Sequence, residues 1–267
     1  MFPRLLEIGS FSLPTYGVLI ALGFLAALSL STRLARRSGS DAERIGSLAI
    51  VLLLSAIVGA KLFLIADGWR YYAADPGRLF SLQVLRSGGV FYGGLLTALA
   101  VAYWYTKRHA MPWLATADLL VPGLAIGHAV GRMGCFAAGC CWGRETSVAW
   151  AVTFTSPAAH DFTGVPLHVA LHPTQLYEAA GLALLGGFLL WMYLRPHAPG
   201  SVVGSYLVLY STFRVVVEPF RDEGARPALV AGVLSTTQLV AFGLAALGLV
   251  LILTGRRRTG RRRTRAT

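Results

Sequence analysis

The chain has 267 residues, of which 55% are hydrophobic and only 13% charged, against roughly 25% charged residues in an ordinary soluble domain, and its mean hydropathy is +0.60. That balance excludes a soluble globular domain and predicts an integral membrane protein. The formal net charge of +12 does not point to nucleic acid, because seven arginines crowd into the closing GRRRTGRRRTRAT directly after an apolar segment. A basic run in that position reads as a juxtamembrane tail at an anionic lipid surface.

Apolar segments approaching the twenty or so residues needed to cross a hydrocarbon core run over 13–31, 45–65, 88–106, 113–135, 173–194, 201–217 and 229–254. Only Arg4 precedes the first, countered by Glu7, so this segment is expected to remain as an anchor rather than to be cleaved. It carries Tyr16 near its start. The stretch 66–87 holds Trp69, Tyr71, Tyr72 and Phe80, aromatic residues that suit the headgroup layer. The third segment opens on Gly88-Gly-Val-Phe-Tyr92-Gly-Gly94, where an irregular, glycine-rich entry admits a headgroup close to backbone.

With Met1 outside, the inner loops receive Arg33, Arg36, Arg37, Arg44, Lys107, Arg108, Arg195 and the tail arginines. The outer loops receive the smaller set Arg4, Arg70, Arg78, Arg86, Arg144, Arg221 and Arg226. The positive-inside rule therefore predicts an outer N-terminus and an inner C-terminus, which requires an odd number of spans. The fold expected is an all-α polytopic membrane protein of about seven transmembrane helices. Residues 1–254 form one membrane domain, 137–172 are a small extracytoplasmic cap inserted into it, and 255–267 are a basic cytoplasmic tail. Within the cap, 148–155 and 165–171 are rich in β-formers and are expected to pair as a hairpin.

The fourth segment runs into GHAVGRMGCFAAGCCWGR at 127–144, the densest chemistry in the chain. A cation at the depth of Arg132 is costly unless it faces protein, water or an anion. Gly131, Gly134, Gly139 and Gly143 permit close approach of backbone to a neighbouring helix or to a ligand. Both a ligand pocket and plain helix packing with a structural Arg–Glu pair fit this stretch by itself. His128, one turn before Arg132, reads as a packed neutral histidine. Cys135, Cys140 and Cys141 form C-x4-C-C; a vicinal bridge is strained, so any disulfide is expected to join Cys135 to one of the other two. The trio lacks a fourth ligand, and His168 and His172, though spaced like zinc ligands on a helix, are followed at once by Pro173 with no carboxylate ligand fixed nearby, so no metal or cofactor is expected.

His172-Pro-Thr-Gln-Leu-Tyr-Glu178 opens the fifth segment, with Pro173 where a missing N–H costs nothing. Glu178, one turn in, is an intramembrane carboxylate that asks for a cationic partner. The sixth segment closes on Tyr210-Ser-Thr-Phe-Arg214-Val-Val-Val-Glu218-Pro-Phe-Arg221, where Arg214 and Glu218 are i,i+4 neighbours. Arg132, Glu178, Arg214 and Glu218 fall at the same expected depth, which favours one charged cluster over separate pairs.

In these residues the chain resembles the bacterial phosphatidylglycerol prolipoprotein diacylglyceryl transferases. The likeness rests on Gly131-Arg132-x-Gly134-x-Phe136 continuing to Trp142-Gly143-Arg144, on the His172–Glu178 element, and on Tyr210-x-x-Phe-Arg214-x-x-x-Glu218-x-x-Arg221. Tyr16-Gly17, Gly59-Ala60-Lys61 and Ser235-x-x-Gln238 extend it along nearly the whole chain. The resemblance implies transfer of a diacylglyceryl group from phosphatidylglycerol to the lipobox cysteine of prolipoprotein signal peptides, by a multi-pass protein of the bacterial inner membrane.

It also implies a catalytic set of Arg132, Arg214, Glu218, Tyr92 and Tyr16. Phosphatidylglycerol is then bound by Arg132, Gly143, His172, Glu178, Tyr210 and Arg221, with membrane lipid and no nucleic acid among the partners. Where the family motif reads G-R-x-G-N-F-x-N-x-E, this sequence has Cys135, Ala138 and Cys140 at the two Asn and the Glu positions. Tyr92 stands where the family has a histidine before Gly93-Gly94, which leaves Tyr92, Glu178, Glu218 or water to accept the thiol proton. The alternatives are a paralogue with another acceptor, an anionic-lipid binder or transporter, for which no internal repeat is found, and a membrane redox or metal protein built on the cysteines.

Overall fold

The computed structural model describes residues 3–8, 11–81, 84, 89–221, 228–230 and 234–264. Arg86, Gly88, Arg226 and Arg265, invoked above, lie outside the described residues. In chain order the elements are β1 (Arg4–Ile8), β2 (Phe11–Pro14), α1 (Thr15–Arg37), α2 (Ala42–Asp67), α3 (Trp69–Ala74), α4 (Phe91–Arg108) and α5 (Trp113–Ala138). They continue as β3 (Val152–Thr153), α6 (Pro157–Thr163), β4 (Ala170–Leu171), α7 (Thr174–Tyr193), α8 (Ser201–Val217), β5 (Ala228–Val230), β6 (Leu234–Ser235) and α9 (Thr236–Thr264).

The protein is a mostly helical, multi-pass membrane protein. Among the described residues, five helices are long and apolar enough to cross a membrane: α1, α2, α5, α7 and α9. Each of the seven apolar segments read from the sequence contains a long helix, and α4 and α8 are the shorter ones. Two boundaries differ from expectation. A β1–β2 hairpin precedes α1, and α9 continues past the apolar segment into the arginine tail.

The chain forms two compact units, Thr32–Thr116 and the remainder, Met1–Ser31 with Ala117–Thr267. In the first, α2 and α4 pack face to face, with Gly59 against Thr97 and Gly94 against the Ala56 carbonyl. Asp41 caps α2 by accepting from the Glu43 and Arg44 amides. Lys61 donates to the Val84 carbonyl at 2.6 Å.

In the second unit, α1 and α5 meet at Gly23 and Gly127, where a Cβ on either would fall 2.7 Å from the other's carbonyl oxygen. Only glycine allows backbones that close, and the contact carries Tyr16 to Gly134 at the far end of the crossing. Val121 and Ala125 of α5, Leu185 and Leu189 of α7 and Val202 of α8 form a buried core. Asp118, fully buried on α5, accepts from the backbone N–H groups of Gly200 (2.6 Å) and Val203 (2.8 Å). It thus places a carboxylate at the N-terminus of α8, where the helix dipole favours negative charge.

Residues 139–172 fold on a small core of Phe154, Ala159, Val165 and Leu171. The expected hairpin is present in shortened form: Val152 pairs with Leu171 and Thr153 with Ala170, and α6 is inserted between the strands.

Candidate functional site

Four pieces of the second unit converge on one carboxylate. Glu178, in the second turn of α7, has no exposed surface. Arg132, two turns from the end of α5, reaches its Oε2 at 2.6 Å. Arg214, in the last turn of α8, stands 3.6 Å from Oε1, and Arg221, just past the Glu218–Phe220 turn, bonds to the same oxygen. Arg214 also pairs with Glu218 at 3.2 Å, the i,i+4 contact expected of one helical face. Among the described residues, three guanidiniums therefore surround two carboxylates, leaving one formal positive charge in surroundings where none of these side chains is more than 15% exposed.

The cluster is also short of acceptors. Among the described residues Arg132 Nε, Arg214 Nη1 and Arg221 Nε are buried without a hydrogen-bond partner, against a single such acceptor atom in the cluster, Glu178 Oε2, which is already ion-paired with Arg132, and each unpaired donor costs free energy until something accepts from it. An excess cation with unsatisfied N–H groups is a place for an anion, and planar guanidiniums match the oxygens of a phosphate.

The surrounding residues hold this arrangement. Ser235 Oγ donates to Glu218 Oε1 at 3.0 Å. The Ser235 amide donates to Gln238 Oε1 and the Gln238 amide to Ser235 Oγ, a reciprocal capping box at the start of α9. Tyr210 stacks on Tyr206 with rings 5.5 Å apart and faces His128 at 5.6 Å; it lies within electrostatic reach of Arg132, Glu178 and Arg214.

Main-chain bonds join residues 139–172 to the turn after α8. The Gly143 amide donates to the His172 carbonyl, the Arg144 amide to the Phe220 carbonyl, and the His172 amide to the Arg144 carbonyl, each at 3.0 Å. A Cβ at Gly143 would meet the Phe220 carbonyl oxygen and sit 2.6 Å from that of His172, so glycine is required there. His172 Nδ1 lies 3.1 Å from Tyr177 Oη, which accepts from Trp150 Nε1 at 2.7 Å. Burial first, and then the Arg144 charge, hold the His172 imidazole below the ordinary histidine range.

The three cysteines are free, with no bridge among them, and their sulfurs all lie within 4.8 Å of one another. Gly139 (φ 79°) and Cys141 (φ 60°) turn the chain back on the end of α5. For Cys141 that left-handed conformation costs about 1–2 kcal/mol. The turn is held by the fully buried Thr174 and Gln175, whose side chains donate to the Cys141 and Cys140 carbonyls at 2.9 and 2.8 Å. Tyr16 lies within electrostatic reach of all three thiols and of Arg132.

A family model described as prolipoprotein diacylglyceryl transferase matches residues 3–254. The chain belongs to this family. Similar proteins include one from Clostridium tetani (strain Massachusetts / E88), 34% identical over 250 residues that cover 93% of this chain and 96% of the relative. Another, from Vibrio vulnificus (strain YJ016), is 35% identical over 254 residues, covering 94% and 90%. Both are named phosphatidylglycerol–prolipoprotein diacylglyceryl transferase.

In this diacylglyceryl transferase family member, the structure brings together Tyr16, Arg132, Gly143, His172, Glu178, Tyr210, Arg214, Glu218 and Arg221, all within one compact unit. Tyr92 belongs to the other unit, half-exposed on α4 with its ring edge-on to Phe91 at 5.7 Å. Sequence reasoning missed Thr174 and Gln175. Their signal was available, since two polar residues opening an apolar helix inside His172–Glu178 have to be bonded to something.

Proposed function

We propose that the protein transfers the diacylglyceryl group of phosphatidylglycerol to the lipobox cysteine thiol of prolipoprotein signal peptides. The observation that carries this reading is the Arg132–Arg214–Arg221 cluster, which among the described residues is one charge in excess over Glu178 and Glu218 and has unsatisfied guanidinium N–H groups. The acceptor sulfur attacks the glyceryl carbon, the carbon–oxygen bond to phosphate breaks, and glycerol phosphate departs with the electron pair. Charge develops on the departing phosphate, and preorganised cations in a dry site stabilise it most.

Arg132 and Arg214 hold that phosphate, Glu218 orients Arg214, and Arg221 and Glu178 set the spacing between them. Tyr210, Tyr16, Gly143 and His172 shape the walls, and within this unit the thiol proton leaves to Glu178, Glu218 or water. The loop charges support seven spans in the bacterial inner membrane, with the N-terminus and residues 137–172 outside and the arginine tail inside. The relatives' names and the family match over 3–254 support the same reaction.

The test uses the purified full-length protein in phosphatidylglycerol-containing detergent micelles with a lipobox peptide. Thioether-linked diacylglyceryl on the peptide, absent when its cysteine is replaced by serine, is the expected result. Restoration of lipoprotein lipidation in cells depleted of their own transferase is the cellular counterpart. Failure of both overturns the reading.

A further inference from the structure

Three thiols that meet at one point are not explained by the anion site. Cys135 lies at the end of α5, while Cys140 and Cys141 are brought back to it by the left-handed Gly139 and Cys141. All three sulfurs lie within 4.8 Å of one another. From the convergence of Cys135, Cys140 and Cys141 beside the arginine cluster, we infer that the three thiolates bind a zinc-class dication whose open fourth position takes the acceptor thiol.

The geometry is close to what such a site needs. Zinc–thiolate bonds of about 2.3 Å in a tetrahedral arrangement put sulfurs about 3.8 Å apart, so closing the trio asks for at most about 1 Å per pair. The donors are soft thiolates, which select zinc-class and cuprous ions over hard cations. The turn is fixed through its backbone, since Thr174 and Gln175 donate to the Cys141 and Cys140 carbonyls, while the sulfurs stay within 4.8 Å of that of Cys135. None of the three cysteines is fully buried, so one side stays open, as in catalytic zinc sites with three protein ligands. A dication on three thiolates carries one negative charge, and Arg132 and Arg221 lie within electrostatic reach of Cys141 to offset it.

The role follows from the chemistry and rests on the transferase reading above. A thiol that coordinates a dication gives up its proton, which here passes to solvent. The metal-bound sulfur then attacks the glyceryl carbon, the carbon–oxygen bond to phosphate breaks, and glycerol phosphate takes the electron pair. The thioether leaves the metal and water refills the position. No general base from the protein is needed. The sequence alone led to the expectation of no metal because a fourth protein ligand was sought; in this arrangement the substrate supplies it.

The test measures metal and transfer separately, on the full-length protein in detergent. Expected are one equivalent of zinc per chain and, after cobalt(II) substitution, thiolate-to-cobalt charge-transfer absorption that is lost in C135S and C140S. Adding a lipobox peptide should shift the cobalt spectrum, and its Cys→Ser version should not. Chelation of the wild-type protein, which alters no residue and so keeps the test independent of variant folding, should lower transfer at least about a hundredfold, the scale of an assisted proton transfer, with recovery on adding zinc.

Absence of the cobalt band, a cobalt spectrum indifferent to the peptide thiol, a disulfide within the trio in active protein, or full transfer after chelation each overturns the inference. Full transfer after chelation does so while leaving the transferase reading intact. A thiol-responsive cobalt spectrum without transfer to any lipobox peptide keeps the metal site and overturns that reading instead.

Discussion

Glu178 has to balance three guanidiniums with a single charge, and its neighbours differ in what else supports them. Arg214 retains Glu218 and Arg221 retains the main chain beside Gly143, but among the described residues Arg132 is ion-paired with Glu178 alone. Glu178→Gln leaves buried cations uncompensated, and the expected cost is about 3–5 kcal/mol, read as a large fall in thermal unfolding temperature in detergent. Arg132→Lys should behave differently. It keeps the charge on Glu178 but loses the planar fork, so folding survives while transfer drops by one to two orders of magnitude, equivalent to about 1.5–3 kcal/mol for a charged hydrogen bond. Normal turnover in Arg132→Lys, or loss of fold in Arg132→Ala with no separate loss of activity, makes the arginine a structural counter-ion. His172 gives a pH signature. Its folded pKa is lowered, so the unfolded chain binds the proton first; stability is fully present above the ordinary value of about 6.5, falls as pH drops below it, and levels off below the folded value. Unfolding temperatures of wild type and His172→Asn should therefore diverge at neutral pH and approach each other in acid.

Among the elements, α8 is fixed at both ends. Its C-terminal turn carries Arg214 into the site, and its N-terminus is held by Asp118, 82 and 85 residues away in sequence from the Gly200 and Val203 amides it receives. Asp118→Ala leaves two buried N–H groups unpaired at about 1–3 kcal/mol each, so the unfolding temperature should fall clearly while transfer per folded molecule stays near wild type. A selective loss of turnover with unchanged stability contradicts this. Such anchors mark the limit of what the sequence revealed. The apolar segments, the i,i+4 pair of Arg214 and Glu218 and the need of Glu178 for a cation follow from local spacing and depth, and the helices and the cluster agree with them. Asp118, the grip of Thr174 and Gln175 on the cysteine turn, and the link from Ser235 to Glu218 depend on contacts across the chain, for which spacing carries no signal. The bond from Arg221 to Glu178 joins residues 43 apart and is likewise a contact that spacing does not reveal.

For the molecule as a whole, the asymmetric loop charge is the strongest statement about its placement. A reporter that works only outside the cytoplasm should be silent when fused after Thr254 and active when inserted in the cap; the reverse pattern overturns the proposed orientation. Removing the residues after Gly255 should weaken membrane association at about 1 kcal/mol per basic residue, with little change in turnover per inserted molecule. The ties between the cap and the rest of its unit have a different meaning. Gly143, Arg144, His172 and Phe220 are joined through amides and carbonyls, groups that every residue brings regardless of its side chain. Apart from Gly143, where no side chain fits, substitutions over 139–172 can therefore leave these ties, and the position of the chain end that carries Arg221, unchanged.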